Sequence, residues 1–128
     1  MDFQDRVVVV TGGANGIGRA TVEAFLTAGA AVAFVDTDKQ AGQMIVSRFE
    51  RNDVYFHHGD ITEEAVLHAF AEAVKQRFGK LDYLVNNACI SKKGILSACS
   101  YQDFNYVLTL GVTAPYLLTS LFLPVFTA

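Results

Sequence analysis

The sequence has 128 residues, with 10 lysines and arginines against 13 aspartates and glutamates, a formal net charge of −3. This length fits one domain over residues 1–128, and the lack of a basic stripe disfavours nucleic acid as the main partner. The two cysteines, Cys89 and Cys99, lack metal-ligand spacing, so we predict no metal site and reduced thiols. Met1 leads directly into strand-like sequence without a signal-peptide pattern, and we expect a cytoplasmic location.

The first predicted element is a strand over four consecutive valines, Val7 to Val10. A wholly apolar run without alternation is typical of a parallel strand that is buried on both faces. A glycine-rich turn follows, and a helix is predicted to begin near Ile17. Glycine lets the backbone turn tightly and lets a ligand approach it, while the free N–H groups of a helix N-terminus attract phosphate. We therefore predict a pyrophosphate-binding turn at this point.

Residues 11–18 have the sequence Thr-Gly-Gly-Ala-Asn-Gly-Ile-Gly. This spacing differs from the generic G-x-G-x-x-G fingerprint, and it resembles the Thr-Gly-x-x-x-Gly-x-Gly turn of the short-chain dehydrogenase/reductase family. The resemblance implies a Rossmann-like α/β fold with a doubly wound parallel sheet whose strand order begins 3-2-1-4. It also implies a nicotinamide dinucleotide as cofactor and hydride transfer between nicotinamide and an alcohol or ketone. The residues of the turn that it marks as cofactor-binding are Gly12, Asn15, Gly16, Ile17 and Gly18.

The helix after the turn is predicted to present one apolar stripe to the core, and Gly29 is well placed to end it. The stripe comprises Ile17, Ala20, Thr21, Ala24, Phe25 and Ala28. A second strand, Ala31 to Val35, then completes a βαβ unit.

Asp36 directly follows this strand, near the position where dinucleotide sites place an acid against the ribose 2′-hydroxyl. The alternative is that Asp36 caps the next helix, but Asp38 is better placed for that role. Asp36 would repel a 2′-phosphate, and neither Asn15 nor Thr37 supplies the basic residue that NADP-binding members of the resembled family usually carry. We therefore predict NAD rather than NADP.

The next helix is predicted from Asp38 to Arg51, and Gly42 should weaken it by about 1 kcal/mol relative to alanine. The third strand is predicted from Val54 to His57. Adjacent strand residues point to opposite faces, so His57 and His58 are expected to be structural rather than metal ligands.

Asp60 and Ile61 come just after the third strand, on the side of the sheet where ligands of α/β proteins bind. The resemblance implies that these two residues bracket the adenine of the cofactor. Thr62 is predicted to cap the following helix, and Gly79 to end it. The core face of that helix is predicted to comprise Val66, Phe70, Ala73 and Phe78.

The fourth strand is predicted from Leu81 to Val85, and Asn86-Asn87-Ala88-Cys89 follows it. This tetrapeptide resembles the Asn-Asn-Ala-Gly element of the same family, which implies that Asn86, Asn87 and Ala88 hold the sheet centre and approach the cofactor ribose. Cys89 replaces the usual glycine. Either this cysteine adopts an unusual backbone angle, or the loop differs here.

From Tyr101 the apolar pattern becomes helical, and no charged side chain follows Asp103. Its polar residues and the lack of flanking basic residues favour a buried or interface helix over a membrane anchor. Pro115 is expected to bend or offset the helix. An uncovered apolar patch is predicted at Leu110, Leu117, Leu121 and Phe122. We therefore expect a homodimer or higher homo-oligomer, formed through this helix or through an exposed strand edge at Leu81–Val85.

The resemblance extends over all 128 residues but covers only the first part of the family's fold. The family moves a proton to or from the substrate oxygen with a serine and a Tyr-x-x-x-Lys pair. None of the five tyrosines here is followed four positions later by lysine. The asparagine that completes the set aligns with Gly111. We therefore predict no catalytic residue and no turnover by this chain alone.

Two interpretations of the function remain open. The favoured one is the NAD(H)-binding portion of a short-chain dehydrogenase-type oxidoreductase, without turnover of its own. The alternative is a non-catalytic nucleotide-binding or self-associating module. A methyltransferase also combines a glycine turn with an acid after the second strand, but the Thr11-Gly12 turn and Asn86-Asn87-Ala88 argue against it.

Overall fold

The computed structural model describes residues 2–90 and 98–126. At its centre is a four-stranded parallel sheet with the order β3-β2-β1-β4. The strands are β1 Val7–Thr11, β2 Ala31–Asp36, β3 Val54–His58 and β4 Tyr83–Val85. The predicted Rossmann-like α/β fold and the strand order 3-2-1-4 are therefore confirmed.

Helices cover both faces of the sheet. They are α1 Gly16–Thr27, α2 Lys39–Arg48, α3 Glu64–Phe78, α4 Tyr101–Leu108 and α5 Ala114–Phe122. Val7 and Val9 of β1 pack in the core beneath α3 and α5, whereas Val8 and Val10 pack in the core beneath α1 and α2. The strand is thus buried on both faces, as its run of valines predicts, and the turn after β1 lies in the middle of the sheet's carboxyl edge.

The buried face of α1 differs from the predicted stripe, whose members are all exposed or half-buried. The buried residues are Gly18, Val22 and Leu26. Gly18 packs so closely on the turn that an added Cβ would collide with the carbonyl oxygen of Gly12. This contact fixes the rotation of the helix, so the residues four and eight positions after Gly18 enter the core and Ile17 is left 79% exposed. Gly29 ends the helix with a φ of +95°, as predicted.

Helix α2 ends at Arg48, earlier than predicted. Asp38 caps it as predicted, because its Oδ1 accepts a hydrogen bond from the N–H of Ala41 at 3.0 Å. Gly42 lies against the ring of Phe56, where no space remains for a Cβ. The packing of β3 on this helix therefore explains a residue that helix propensity alone disfavours.

Thr62 does not cap α3, contrary to the prediction, and the helix begins at Glu64. Thr62 instead donates its N–H and its hydroxyl to Oδ1 of Asp60. A hydroxyl that donates to a carboxylate makes a stronger bond than one that caps a neutral N–H. Of the predicted core face only Phe70 is fully buried, and Gly79 ends the helix as predicted, with a φ of +72°. The buried residues of α3 are Leu67, Phe70, Ala71 and Val74.

A turn of π-helix, Thr109–Thr113, joins α4 to α5. Within it the N–H of Ala114 bonds to the carbonyl of Thr109. Pro115 follows directly and has no N–H to continue the regular α-helical ladder. The offset predicted at this proline is therefore confirmed.

The predicted uncovered patch on this helical run is wrong at Leu110 and Phe122, which are buried in the chain's own core. Phe122 meets the ring of Phe70 edge-on, with centroids 6.3 Å apart, because α5 packs against α3. Leu117 and Leu121 are half-buried. A different set of apolar side chains is exposed, namely Tyr101, Phe104, Leu108, Val112, Tyr116 and Leu123.

The run Tyr101–Val125 is long and apolar enough to cross a membrane by length and composition, with a mean hydropathy of 1.6. The core helix of a soluble protein passes the same test. Leu118 and Phe122 are fully buried against the rest of the chain, whereas 22% of the apolar window as a whole is buried, so the buried or interface helix stays a prediction.

Asp82 fixes the start of β4. Its Oδ2 accepts the N–H of Val7 at 2.8 Å, and the carboxylate pairs with Lys80 and Arg6 at 3.1 and 3.5 Å. Although burial alone would raise it, the Val7 N–H and the two cations hold the pKa of Asp82 below its usual value. Leu81 is buried, so the apolar edge predicted to begin there is confined to β4 itself.

Candidate functional site

A cleft of about 430 Å³ runs along the carboxyl ends of the four strands. It brings together most of the residues that the sequence predicts for a cofactor site. Those lining it are Gly12, Asn15, Ile17, Gly18, Asp36, Asp60, Ile61, Asn87 and Ala88. Two predicted residues do not line it: Gly16 begins α1 with a φ of +58°, and Asn86 is exposed beside the cleft.

The glycine turn brings the backbone of β1 against the start of α1. Gly12 has a φ of +68°, a conformation that residues with a Cβ rarely adopt. The side chain of Asn15, which precedes the helix, makes no capping bond. It donates instead to Oδ2 of Asp38 at 3.0 Å. The backbone N–H groups in the first turn of α1 therefore remain available to an anion in the cleft.

On the β4 side, Asn87 and Ala88 are tied to the end of β1. The side chain of Asn87 donates to the carbonyl oxygens of Thr11 and Gly12, at 3.2 Å each. The hydroxyl of Thr11 accepts the N–H groups of Asn87 and Ala88 at 3.1 and 3.0 Å. Thr11 is only 2% exposed, so this network holds the sheet centre, and one face of the Asn87–Ala88 segment is left towards the cleft.

At the end of β2, two carboxylates lie close together. Asp36 accepts the N–H of Ala14 at 3.0 Å and the N–H of Asp38 at 2.9 Å. The N–H of Ala41 and the side chain of Asn15 hold the pKa of Asp38 below its usual value, so this group stays ionised. Asp36 therefore lines the cleft with Asp38 two positions away, just outside the lining, and no lysine or arginine is among the described residues that line it.

At the end of β3, Asp60 is held by groups on two different elements. Its Oδ1 accepts the N–H and the hydroxyl of Thr62 at 2.9 and 2.8 Å. Its Oδ2 accepts the hydroxyl of Tyr106, a residue of α4, at 3.2 Å. Burial and then the charge of Asp60 raise the pKa of Tyr106 above its usual value. Ile61 is buried directly beside this carboxylate.

The cleft is also lined by residues that the sequence motifs do not mark as cofactor-binding, namely Val35, Thr37, Gly59, Cys89, Ile90, Tyr106 and Leu110. Thr37 and Gly59 adjoin predicted acids, so their positions after the strands could have marked them. Nothing in the sequence connects Tyr106 with Asp60, from which it is separated by 46 positions. Cys89 adopts an ordinary backbone angle, since Asp5 is the sole described non-glycine residue with a positive φ.

The chemical groups of the cleft fit an elongated ligand. Backbone N–H donors lie at its middle, carboxylate acceptors at the ends of β2 and β3, and the Asn87 segment at the β4 end. Within the described residues no group of histidine, cysteine and acidic side chains is placed to hold a metal ion. The arrangement suits a phosphate at the centre and hydroxyl or amino donors at the acidic end.

The sequence profile of the short chain dehydrogenase family matches residues 6–128. The chain belongs to the short-chain dehydrogenase/reductase family of oxidoreductases. The resemblance seen in the glycine turn and in Asn86-Asn87-Ala88 is thus confirmed.

Among the relatives of this short-chain dehydrogenase chain is L-fucose dehydrogenase of Mus musculus, 38% identical over 95% of this chain and 44% of the relative. A metagenomic short-chain oxidoreductase in complex with NADP superposes with a TM-score of 0.89 at 28% identity, over 95% of this chain and 57% of that one. The 3-ketoacyl-(acyl-carrier-protein) reductase of Brucella melitensis, complexed with NADH, superposes with a TM-score of 0.91 at 30% identity. The match covers 98% of this chain and 51% of the reductase. The chain spans about half the length of the curated relatives it matches, 44% in the case of L-fucose dehydrogenase.

Proposed function

We propose that this chain binds NAD(H) in the cleft, as the cofactor-binding portion of an oxidoreductase that transfers hydride between nicotinamide and an alcohol or ketone. The observation that carries the proposal is the order of groups along the carboxyl edge of the sheet. A helix N-terminus next to a close-packed glycine turn lies between the acids that follow β2 and β3 and the Asn87 segment that follows β4. That order matches the order of parts in a dinucleotide.

Each part of the cleft has a role in this proposal. The turn from Gly12 to Gly18 receives the pyrophosphate, because the close packing of Gly18 on Gly12 brings the N-terminal N–H groups of α1 against the turn. Asp36 accepts from the adenosine ribose, and Asp60 and Ile61 flank the adenine. Asn87 and Ala88 adjoin the second ribose. Asn86 stays a prediction, since its side chain is exposed outside the lining.

We further infer a preference for NADH over NADPH. In this proposal a 2′-phosphate would lie against Asp36, which lines the cleft, and near Asp38, and negative charge on these carboxylates would repel it. The solved relatives include complexes with either cofactor, so the preference rests on these two residues rather than on family membership.

We propose that the chain alone does not turn over a substrate. Proton transfer needs a group within hydrogen-bond reach of the substrate oxygen. None of the five tyrosines is followed by lysine at the family's spacing, and the hydroxyl of Tyr106, which does line the cleft, donates to Asp60. Hydride transfer would then require residues outside this sequence.

A self-associating module is the second candidate, and two observations favour it. The outer face of α4 and α5 exposes the apolar side chains of Tyr101, Phe104, Leu108, Val112, Tyr116 and Leu123, and within residues 2–90 and 98–126 no strand pairs with the free edge of β4. Contiguous apolar surface and a strand at a sheet edge both promote association. Self-association and NAD(H) binding use different faces and are compatible in one chain.

Nicotinamide fluorescence during titration with NADH tests the cofactor proposal. Ile17→Glu adds a carboxylate at the first turn of α1, where it suits the helix dipole but competes with phosphate, so affinity should fall about tenfold. Ala24→Glu is the matched control, since it adds the same charge at an exposed site of the same helix away from the cleft. Equal affinities in the two variants, or no binding by the unaltered chain, would contradict the proposal.

A further inference from the structure

The Asp60 carboxylate is held at both oxygens before any ligand arrives. Thr62 donates twice to Oδ1, at 2.9 and 2.8 Å. Tyr106 donates once to Oδ2, at 3.2 Å. Thr62 is a neighbour in sequence, whereas Tyr106 reaches the carboxylate from α4, on a separate element. The orientation of Oδ2 is therefore set by the tertiary structure.

A carboxylate offers about four lone-pair sites. Three of them on Asp60 are occupied, which leaves one on Oδ2, and both Asp60 and Tyr106 line the cleft. That remaining site accepts a hydrogen bond and cannot donate one. An amino group on a purine base can satisfy it, while a keto oxygen in the same place would be repelled.

The contact between Tyr106 and Asp60 is partly buried, which strengthens it. Burial and the Asp60 charge raise the pKa of Tyr106, so the phenol remains protonated and donating at neutral pH. Without this hydroxyl, Oδ2 would have no fixed partner, and only the two bonds from Thr62 to Oδ1 would restrain rotation of the carboxylate about its bond to Cβ.

We propose that Tyr106 is a positioning residue that orients Oδ2 of Asp60 towards the base of the bound dinucleotide, and thereby selects a 6-aminopurine over a 6-oxopurine. The inference rests on the proposed NAD(H) function and adds to it a specificity determinant on α4. Tyr106 acts through Asp60 and need not touch the reacting atoms.

The test compares NADH with its reduced hypoxanthine analogue, which carries a keto oxygen in place of the adenine amino group. The unaltered chain should prefer NADH by about tenfold, the worth of one hydrogen bond in a partly buried site. Tyr106→Phe should weaken NADH binding about fivefold and leave the analogue within twofold, so that the preference collapses. Tyr116→Phe removes a hydroxyl from a 75% exposed tyrosine of the same helical run, and it should change neither affinity.

The outcomes separate the two proposals. If the unaltered chain binds neither nucleotide, the NAD(H) function fails and this inference fails with it. If it binds NADH, and Tyr106→Phe weakens both nucleotides equally or weakens neither, the positioning role alone is overturned. In the double variant with Asp60→Asn, removal of the Tyr106 hydroxyl should have no further effect, because the two residues act as one unit.

A second measurement, made on the unaltered chain, tests the positioning role of Tyr106 even if the Tyr106→Phe variant does not fold. The ring carbon ζ signal of Tyr106, followed by NMR against pH, reports its pKa. An amino donor on Asp60 disperses the carboxylate charge, so the pKa of Tyr106 should be lower with bound NADH than with bound hypoxanthine analogue. Identical titrations in the two complexes would overturn the inference.

Discussion

Thr37→Arg is expected to shift the cofactor preference of the chain from NADH towards NADPH. Thr37 lines the cleft directly after Asp36 and is exposed. Its backbone carbonyl lies 3.1 Å from Nε2 of His58. Because that contact uses the backbone, an arginine can replace the threonine side chain without disturbing it. A guanidinium would then stand on a rim that now carries two carboxylates.

The size of the shift follows from the charges. Two unit charges 4 Å apart interact by about 1 kcal/mol in bulk water and about 4 kcal/mol at an effective dielectric of 20. Because Thr37 is exposed, the aqueous limit applies, and a 2′-phosphate of nearly two charges gains about 2 kcal/mol. At about 1.4 kcal/mol per factor of ten, the ratio of NADPH to NADH affinity should rise about 30-fold.

Fluorescence titrations of the unaltered chain and the variant with both nucleotides measure this ratio. Gln43→Arg is the matched control, because it adds the same charge at an exposed position of α2 outside the cleft lining. High salt should reduce the shift, since charges at the surface are screened. An unchanged ratio in Thr37→Arg, or equal affinities for NADH and NADPH in the unaltered chain, would refute the assignment of the β2 end to the adenosine ribose.

Three further outcomes are expected. Gly42→Ala should lower the free energy of unfolding, measured in urea, by about 1–3 kcal/mol, because the added Cβ would meet the ring of Phe56. This loss is expected although alanine has the better helix propensity. Unchanged stability would show that the ring can move aside. Asp82→Asn should destabilise by about 1.5–3 kcal/mol at pH 7 through the loss of a charged acceptor for Val7. Since the pKa of Asp82 is lowered on folding, the difference in unfolding free energy between the unaltered chain and Asp82→Asn should be complete above about pH 4 and shrink as the pH falls further. A difference that does not change with pH would contradict the stabilising role of the Asp82 charge. Tyr116→Lys, on the exposed apolar face, should weaken self-association in sedimentation, whereas Gln76→Lys on the exposed face of α3 should not; a monomer at tens of micromolar before any substitution would rule out self-association.

The parts of the fold that depend on local pattern could be predicted from sequence. A run of four valines has no polar face to expose to solvent, which predicts that β1 lies in the middle of a sheet covered on both faces. Strands buried in this way are typical of parallel sheets. The acids Asp36 and Asp60 come immediately after strands, and parallel strands bring such positions to one edge. Their convergence in the cleft was therefore predictable.

The parts that depend on contacts between distant elements were not predictable in this way. The rotation of α1 is set by the close approach of Gly18 to Gly12, which hydrophobic periodicity does not contain. Similarly, Phe122 could be assigned to the core only once α5 was known to pack on Phe70 of α3. The proposed role of Tyr106 could not be predicted from a sequence motif, because it depends on a hydrogen bond to Asp60, which lies 46 positions earlier in the chain.

NMR mapping of backbone amides during titration with NAD shows whether a nicotinamide dinucleotide binds along the carboxyl edge of this sheet. Saturable shifts are expected at Gly12, Ile17, Gly18, Asp60 and Ala88, which line the cleft. Amides at the opposite end of the strands, Gly29, Asn52 and Lys80, should stay unchanged. Shifts concentrated at that opposite end, or no saturable shifts at millimolar NAD, would rule out cofactor binding in the cleft.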